Sequence, residues 1–306
     1  MTIHQDDSTF ANKLYKLPVD LAEMDRLAVQ HRMWTVMMGG LFPSAVASSV
    51  HAALSASDGC SPTIMDVGCG SGIWSIEMAK AFPHAQAIGL DLNEQKYTGA
   101  PHNFRSVQGD ISLGLPEFTG QVDVIHCRCV AQHVKDPQGL VNTLASCLRP
   151  GGVLLLADGD WIAYDKNKQL VKPFVWDTEK DIDEQVKNKG DASWYAGWLA
   201  IFGEVTRSKA YRPIEELIAA SGSFTDAQMT AYFSPISWPG ENIPNGEELG
   251  EIMKVNQKNF FSGAKFTALK AGLTTEILDV WEALYNDEID SCQYYNVWYY
   301  ATGRRA

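Results

Sequence analysis

A glycine-rich turn that opens with a carboxylate carries the strongest chemical signal in this chain of 306 residues. It reads Asp66-Val67-Gly68-Cys69-Gly70-Ser71-Gly72 and stands between a short apolar run and a stretch with helical spacing. Glycines at such a turn let a ligand approach the backbone, and the N-terminus of the following helix offers free N–H groups. The turn therefore predicts a binding site for a nucleotide or a nucleoside.

Two details of the turn favour one class of ligand. A dinucleotide-binding turn would have its third glycine at position 73, where this chain has Ile73. The carboxylate of Asp66 is unfavourable beside a pyrophosphate, whereas it attracts a cationic ligand with an ammonium group. We therefore favour S-adenosylmethionine (SAM), with S-adenosylhomocysteine (SAH) as its product, over NAD.

Two more carboxylates follow the next strands that the sequence predicts. Asp91 stands nineteen residues after Gly72, at the end of the second strand, where an acidic side chain can accept hydrogen bonds from both ribose hydroxyls. Asp110, in Gly109-Asp110-Ile111 after the third strand, can accept a hydrogen bond from the adenine amine. Acidic residues at strand ends are common, but in this order and at these positions they predict a nucleoside site.

If the ligand is SAM, the chemistry that it supplies is transfer of its methyl group to an acceptor, which needs orientation, exclusion of water and, where the acceptor is protonated, a general base. His133, just past the fourth strand, is the best candidate for the base, although the same segment can simply begin a helix that His133 caps or packs. His126 lies within an apolar strand and is interpreted as a core residue. Asp158 and Asp160 end the fifth strand, where they either bind the acceptor or only form a turn.

Tryptophans are concentrated after the fifth strand. The chain has nine of them, of which only Trp74 lies between residues 64 and 157, whereas four fall within residues 161–198. These four are Trp161, Trp176, Trp194 and Trp198. Their simplest interpretation is a helical core, but aromatic side chains also line pockets for small ligands. We therefore predict that they bind an apolar or aromatic acceptor.

Short β-branched runs alternate with helical stretches in the first half of the chain, which predicts a parallel sheet covered by helices on both faces. Five strands are predicted there, at 64–67, 87–91, 104–107, 122–127 and 153–157. Two further strands, at 227–237 and 294–303, complete a seven-stranded sheet. The expected fold is α/β, Rossmann-like and doubly wound, with a mostly parallel sheet.

The same pattern divides the chain into four regions. Residues 1–57 are expected to form a helical cap, residues 58–160 the binding core, residues 161–222 a helical lid, and residues 223–306 the last strands. A helical insertion at about 239–290 separates those strands, and we expect it to pack against the lid.

The ordered motifs are similar to those of class I SAM-dependent methyltransferases over about residues 60–160. They comprise the turn from Asp66 to Gly72, Asp91, Gly109-Asp110 and the turn from Leu148 to Gly152. A second set resembles the N-terminal signature of fungal LaeA-like methyltransferases, which include tailoring enzymes of secondary metabolism and a regulator of it. That set comprises Tyr15-Lys16-Leu17-Pro18-Val19-Asp20, Glu23, Asp25-Arg26-Leu27 and Gln30-His31. The chain departs from the family pattern at Ala28 and from Arg128 to His133.

The resemblance implies a role for each motif residue. The methionine part of SAM would be contacted by Asp66, Gly68, Gly70 and Gly72. Its ribose would be contacted by Asp91, and its adenine by Asp110 with Ile111. Leu92 and Arg128 are also expected to contact the cofactor. Tyr15 and His31 either close over it or only fasten the N-terminal helices to the sheet.

Composition narrows the possible functions. Acidic residues outnumber basic ones 37 to 25, a formal charge of −12, which argues against general binding to nucleic acid or anionic membranes. With no apolar leader and no bilayer-spanning stretch in the sequence, we expect a cytoplasmic protein. Cys127 and Cys129 are interpreted as core thiols, so no metal site is predicted.

Three functions remain. The leading hypothesis is a cytoplasmic enzyme that transfers a methyl group from SAM to an oxygen or nitrogen atom of a small natural product. The alternatives are a regulatory methyltransferase-like protein that acts through a protein partner and, third, a nicotinamide-dependent oxidoreductase. The sequence makes no prediction of the oligomeric state.

Overall fold

One sheet of seven strands organises the computed structural model, which describes residues 21–55, 61–93, 97, 99–177, 179–206 and 210–306. The strands are β1 (Thr63–Val67), β2 (Gln86–Asp91), β3 (Phe104–Gln108), β4 (Val122–Arg128), β5 (Leu148–Tyr164), β6 (Phe224–Ile236) and β7 (Tyr294–Arg305). Their order is β3-β2-β1-β4-β5-β7-β6, in which β1 to β5 are parallel and β7 is antiparallel to both of its neighbours. The predicted seven-stranded, mostly parallel α/β sheet is confirmed.

Helices cover both faces of this sheet. They are α1 (Leu21–Met38), α2 (Ala47–Ala53), α3 (Ile73–Ala81), α4 (Pro137–Cys147), α5 (Ile182–Lys187), α6 (Trp194–Thr206), α7 (Ile214–Ser221), α8 (Gly246–Lys270) and α9 (Thr275–Ser291). Successive side chains of a strand point to opposite faces, so Ile64 joins one hydrophobic cluster and Met65 the other. The side chains of Asp136, Asp181 and Thr274 cap the N-termini of α4, α5 and α9.

The fifth strand is longer than the sequence indicated. We expected it to end at Ala157 and the helical lid to begin at Trp161, but β5 continues to Tyr164. Its extension is stabilised by antiparallel pairing with β7, where Ala163 is opposite Asn296 and Tyr164 is opposite Tyr295. Trp161 therefore stands on a strand and not on a helix.

The helical insertion between β6 and β7 packs against α1, the first helix that the structure describes. Helices α8 and α9 pack on each other and on α6, and α8 also packs along α1. Arg32 of α1 and Glu248 of α8 form an exposed ion pair across this contact. The arrangement places the side chains of α8 above the same edge of the sheet as the glycine-rich turn.

Candidate functional site

A cavity of about 520 Å³ lies at the C-terminal ends of the parallel strands, where open α/β sheets bind ligands. One part, which we call the nucleoside end, lies beyond β2 and β3 and is lined by Asp91, Leu92, Asn93 and residues 109–113. The other part, the acceptor end, lies beside β5 and β7 and is lined by Asp160, Trp161, Leu199, Asn256, Gln257, Phe260, Asn296 and Trp298. The glycine-rich turn and the end of β4 lie between the two parts.

Carboxylates line the nucleoside end as the sequence predicts. Asp91 Oδ2 accepts a hydrogen bond from the Gly70 N–H at 2.9 Å, and its Oδ1 accepts one from the Asn93 N–H at 3.1 Å. These bonds hold the turn against β2, and burial raises the pKa of Asp91. Asp110 uses Oδ1 to accept hydrogen bonds from the N–H and hydroxyl of Ser112, at 2.8 and 2.6 Å. Leu92 and Ile111 contribute apolar surface to the same end.

The glycines of the turn divide into two roles. Gly68 and Gly70 line the cavity, and at Gly68, with φ of +71°, a Cβ would lie 2.4 Å from Val130 Cγ2. Gly72 is not among the described residues that line it, contrary to the role the sequence suggested. The φ of Gly72 is +67°, and a Cβ there would lie 2.5 Å from the ring of Tyr97. Tyr97 packs over the turn, and its hydroxyl donates a hydrogen bond to the Gly70 carbonyl at 2.9 Å.

Asp66 lines the cavity, but its carboxylate is already engaged inside the protein. It is 3% exposed, Oδ1 lies 2.7 Å from His126 Nδ1, and Oδ2 accepts a hydrogen bond from the Ser75 hydroxyl at 2.7 Å. Burial acts to raise the pKa of Asp66, but His126 and Ser75 outweigh it, so the net pKa is lowered. The predicted direct contact of Asp66 with an ammonium group therefore competes with two existing bonds.

His126 is more than the core residue that the sequence suggested. It is 1% exposed, its ring is stacked on Trp74 with centroids 3.9 Å apart, and it also lines the cavity. Burial lowers the pKa of His126, which favours the neutral imidazole, and the carboxylate of Asp66 accepts a hydrogen bond from Nδ1–H. Its Nε2 atom is buried and has no hydrogen-bond partner in the described part of the chain.

Arg128 lines the middle of the cavity, and its side chain is positioned by contacts with His31 and Trp34 of α1. Its Nη2 donates to His31 Nδ1 at 3.3 Å, and its guanidinium lies 5.7 Å from the Trp34 ring centroid. The other ring nitrogen of His31, Nε2, lies 3.1 Å from Glu77 Oε2, and burial together with the charge of Arg128 lowers the pKa of His31. His31 therefore positions Arg128 and does not itself line the cavity, while Tyr15 lies outside the described residues.

Two of the three residues predicted to act on the acceptor, His133 and Asp160, line the cavity. His133 is half-buried in the cavity lining, and its N–H donates to the Val130 carbonyl at 2.9 Å. Asp160 also lines the cavity and accepts hydrogen bonds from the hydroxyls of Tyr164 and Tyr299, at 3.1 and 3.4 Å.

Asp158 does not fit the predicted contact with the acceptor, because it is fully buried and is not part of the described cavity lining. Its carboxylate accepts hydrogen bonds from the N–H and the amide of Gln132, at 3.1 and 2.7 Å. Asp158 therefore anchors the loop that carries His133.

Of the four tryptophans that were expected to bind the acceptor, Trp161 lines the cavity. The other three do not fit that expectation, because their indoles form a ring cluster outside the described lining. Trp176 is stacked on Trp281 with centroids 5.4 Å apart, Trp194 lies 4.1 Å from Phe174, and Trp198 lies 4.0 Å from Phe261. The core interpretation describes these three better, with Trp194 and Trp198 on α6 and Trp176 on the segment before α5.

Six residues of the acceptor end were missed by the sequence reasoning. They are Leu199 of α6, Asn256, Gln257 and Phe260 of α8, and Asn296 and Trp298 of β7. The local signal was the amide pair at 256 and 257, which is 2% and 5% exposed on a helix face that is otherwise mostly apolar. Buried amides need hydrogen-bond partners, so this pair marks a polar site that periodicity alone does not reveal.

The donor set of the cavity fits SAM part by part. Asp91 and Asp110 offer the kind of acceptor that ribose hydroxyls and an adenine amine need. The buried Nη1 of Arg128 has no hydrogen-bond partner within the described residues, and an anionic carboxylate would supply one. No His, Cys, Asp or Glu cluster of metal-binding type occurs in the described ranges. No helix in those ranges is long and apolar enough to cross a membrane.

Comparisons with known proteins find methyltransferases and regulators of secondary metabolism among the relatives of this chain. A family model described as a methyltransferase domain matches residues 42–190. The chain is 28% identical to the secondary metabolism regulator laeA of Coprinopsis cinerea, covering 90% of this chain and 65% of that protein. It is 31% identical to the regulator LAE1 of Cochliobolus heterostrophus, covering 79% and 72%, and 28% identical to the methyltransferase pytC of Aspergillus terreus, covering 86% and 72%. A phosphoethanolamine N-methyltransferase of Haemonchus contortus in complex with SAM superposes with a TM-score of 0.44 at 16% identity, covering 92% of this chain and 57% of that one.

Proposed function

The chain belongs to the class I SAM-dependent methyltransferases and resembles their LaeA-like members, and on that premise we propose that it transfers the methyl group of SAM to an oxygen or nitrogen atom of a small, apolar or aromatic natural product. The observation that carries this proposal is the continuity of the cavity. A nucleoside end with strand-end carboxylates leads directly into an end lined by aromatic and amide side chains. Such a shape brings a cofactor and a second small molecule into contact.

A hydrogen-bond network favours an acceptor that carries a hydroxyl or an amine. Asn296 Nδ2 donates to the Ile162 carbonyl, so its Oδ1 accepts hydrogen bonds from the Tyr195 hydroxyl and from Gln257 Nε2. This fixes the Gln257 amide and leaves its Oε1 buried, with no donor among the described residues. An acceptor with a hydroxyl or N–H would supply the missing donor, and one without it would leave a buried oxygen unpaired.

Apolar side chains explain the rest of the proposed specificity. Trp161 and Phe260 face the acceptor end with ring centroids 5.6 Å apart, and Trp298 and Leu199 complete the apolar wall. SAM supplies a methyl group on a sulfonium, whose leaving group needs no further activation. The chain therefore has to orient the acceptor, exclude water and remove a proton where the acceptor carries one.

We expect His133→Asn to lower methyl-transfer turnover by about a hundredfold, because His133 would remove the proton of the acceptor. Binding of SAH, measured by calorimetry, should change by less than about twofold, since a base for the acceptor makes no contact that the nucleoside needs. His102→Asn, at an exposed histidine outside the cavity lining, is the control. Equal turnover of the His133 variant and the unchanged protein across about pH 6 to 9 would exclude the base role.

A labelling experiment tests the proposed function. The protein is incubated with SAM that carries an isotopically labelled methyl group and with a small-molecule extract of the source organism, and the products are analysed by mass spectrometry. We expect a labelled small molecule and stoichiometric SAH. Calorimetry should show binding of SAH and not of NADPH, and binding of NADPH without SAH would overturn the proposal.

A regulatory role is the second candidate, because two relatives, which match 90% and 79% of this chain, are named as regulators of secondary metabolism. In that case the chain would act through a protein partner. SAH binding without any labelled small molecule in the extract would favour this candidate over the small-molecule enzyme.

A further inference from the structure

We propose that His126 and Arg128 together bind the zwitterionic amino-acid head of SAM, with His126 Nε2 accepting from its ammonium group and Arg128 Nη1 donating to its carboxylate. This rests on the proposed use of SAM and adds a binding subsite to it. Asp66 then acts on the ammonium group indirectly, by orienting the imidazole.

The first half of the subsite is an acceptor that the fold leaves open. The imidazole of His126 is fixed on one side by the 2.7 Å contact of Nδ1 with Asp66 and on its face by the stacked ring of Trp74. Asp66 is fixed in turn by the Ser75 hydroxyl. In the neutral tautomer whose Nδ1–H donates a hydrogen bond to the carboxylate, Nε2 carries a lone pair, and Nε2 has no hydrogen-bond partner in the structure as described. A buried acceptor in a cavity wall is what an ammonium group requires.

The second half is a donor that is left open in the same way. Arg128 is positioned through Nη2 by His31, and His31 is held in its tautomer by Glu77. The Trp34 ring supports the guanidinium plane. Within the described ranges Nη1 is buried without a hydrogen-bond partner, although Asp66 and Glu77 act on the guanidinium through their charge. A buried N–H group that makes no hydrogen bond is costly. A carboxylate at Nη1 would remove this cost and accept a charge-assisted hydrogen bond.

The position of the two side chains matches the shape of an amino acid. Residues 126 and 128 are two apart on β4, so their side chains leave the same face of the sheet, about 7 Å apart at the backbone. Both line the cavity next to Gly68 and Gly70 of the turn. One acceptor and one donor without partners, on the same face of the sheet, are complementary to an ammonium and a carboxylate group on one carbon atom.

Three ligands that share the nucleoside separate the two contacts. They are SAH, its decarboxylated analogue S-adenosyl-3-thiopropylamine, which keeps the ammonium group, and 5′-methylthioadenosine, which has neither charged group. Dissociation constants are measured by calorimetry on the intact protein. We expect unchanged protein to bind SAH more tightly than methylthioadenosine by more than about tenfold, because two hydrogen bonds to charged groups are lost. This comparison needs no variant.

Two variants then assign the contacts. His126→Asn keeps a donor near the place of Nδ1 for Asp66 and removes Nε2, so binding of SAH and of the decarboxylated analogue should each fall by about tenfold. Arg128→Met should lower binding of SAH by at least about tenfold and leave that of the decarboxylated analogue unchanged. Neither variant should change the affinity for methylthioadenosine. His51→Asn and Arg32→Met, at exposed positions outside the cavity lining, are the matched controls.

Each outcome decides the inference. The inference is supported if His126→Asn weakens SAH and the decarboxylated analogue while Arg128→Met weakens SAH alone. Arg128→Lys should then recover part of the SAH affinity that Arg128→Met loses. If both variants weaken all three ligands by the same factor, the two residues are only structural and the inference is wrong. If unchanged protein binds methylthioadenosine as tightly as SAH, the subsite does not exist, although the methyltransferase assignment stands. If no nucleoside binds, the proposed function fails together with the subsite.

Discussion

Asp91→Ala is expected to weaken binding of SAH by about 1–3 kcal/mol, because the carboxylate would no longer accept hydrogen bonds from the two ribose hydroxyls. The side chain also accepts the Gly70 N–H, so its loss loosens the turn that would face the methionine part of SAH. Titration calorimetry with SAH gives the change directly. Since burial raises the pKa of Asp91, the affinity of the unchanged protein should also fall as the pH falls through that raised pKa, where the carboxyl becomes protonated.

A matched control separates this contact from a general effect of removing an aspartate. Asp191 is a surface residue that pairs with Lys172, far along the chain from the nucleoside end, and Asp191→Ala should leave SAH affinity unchanged. If Asp91→Ala binds SAH as tightly as the control, the ribose does not bind at the end of β2.

Trp198→Ala is expected to lower the free energy of unfolding by about 3–5 kcal/mol, because it removes a fully buried indole from the ring cluster. Trp198 is stacked on Phe261 with centroids 4.0 Å apart and lies edge-on to Trp281 at 6.0 Å. The neighbouring backbone of α6 and α8 cannot close such a cavity without losing its own contacts. Urea denaturation followed by far-UV circular dichroism measures the change.

Trp161→Ala is the informative comparison, because Trp161 is only half-buried and lines the acceptor end. Trp161→Ala should lower the free energy of unfolding by less than Trp198→Ala does. It should also lower the turnover of methyl transfer to the acceptor and leave the affinity for SAH unchanged. A Trp198 variant that loses less than about 1 kcal/mol of stability but loses acceptor turnover would reverse the roles assigned to these two tryptophans.

The sheet could be predicted from sequence because its signals are local. The apolar runs of β1, β2 and β4 and the helical stretches between them repeat at distances that parallel strands require, and turn glycines mark their ends. The extension of β5 to Tyr164 could not be predicted in this way. It depends on pairing with Asn296 and Tyr295, which lie more than a hundred residues further along the chain.

The site shows the same division between local and distant information. Asp91 and Asp110 could be identified because each follows its own strand and parallel strands end at one edge of the sheet. Gln257 and Asn296 could not, because α8 and β7 come together only in the folded chain. His126 has an apolar sequence neighbourhood, and only the fold shows that its Nε2 is left without a partner among the described residues while it lines the cavity.

Tryptophan clustering misled the sequence reasoning for a physical reason. A run of aromatic residues indicates burial but does not say which surface buries them. Here Trp176 and Trp194 pack around Trp281 of α9, whereas Trp161, on the extended end of β5, lines the cavity.

A crystal structure of the protein with SAH tests the central claim most directly, because that claim is one continuous cavity with a nucleoside end and an acceptor end. We predict the ribose hydroxyls within hydrogen-bond distance of Asp91, the adenine amine at Asp110, and the sulfur atom directed towards Trp161 and Gln257. SAH bound in the opposite direction, with its adenine at Trp161, or bound outside this cavity would contradict the account.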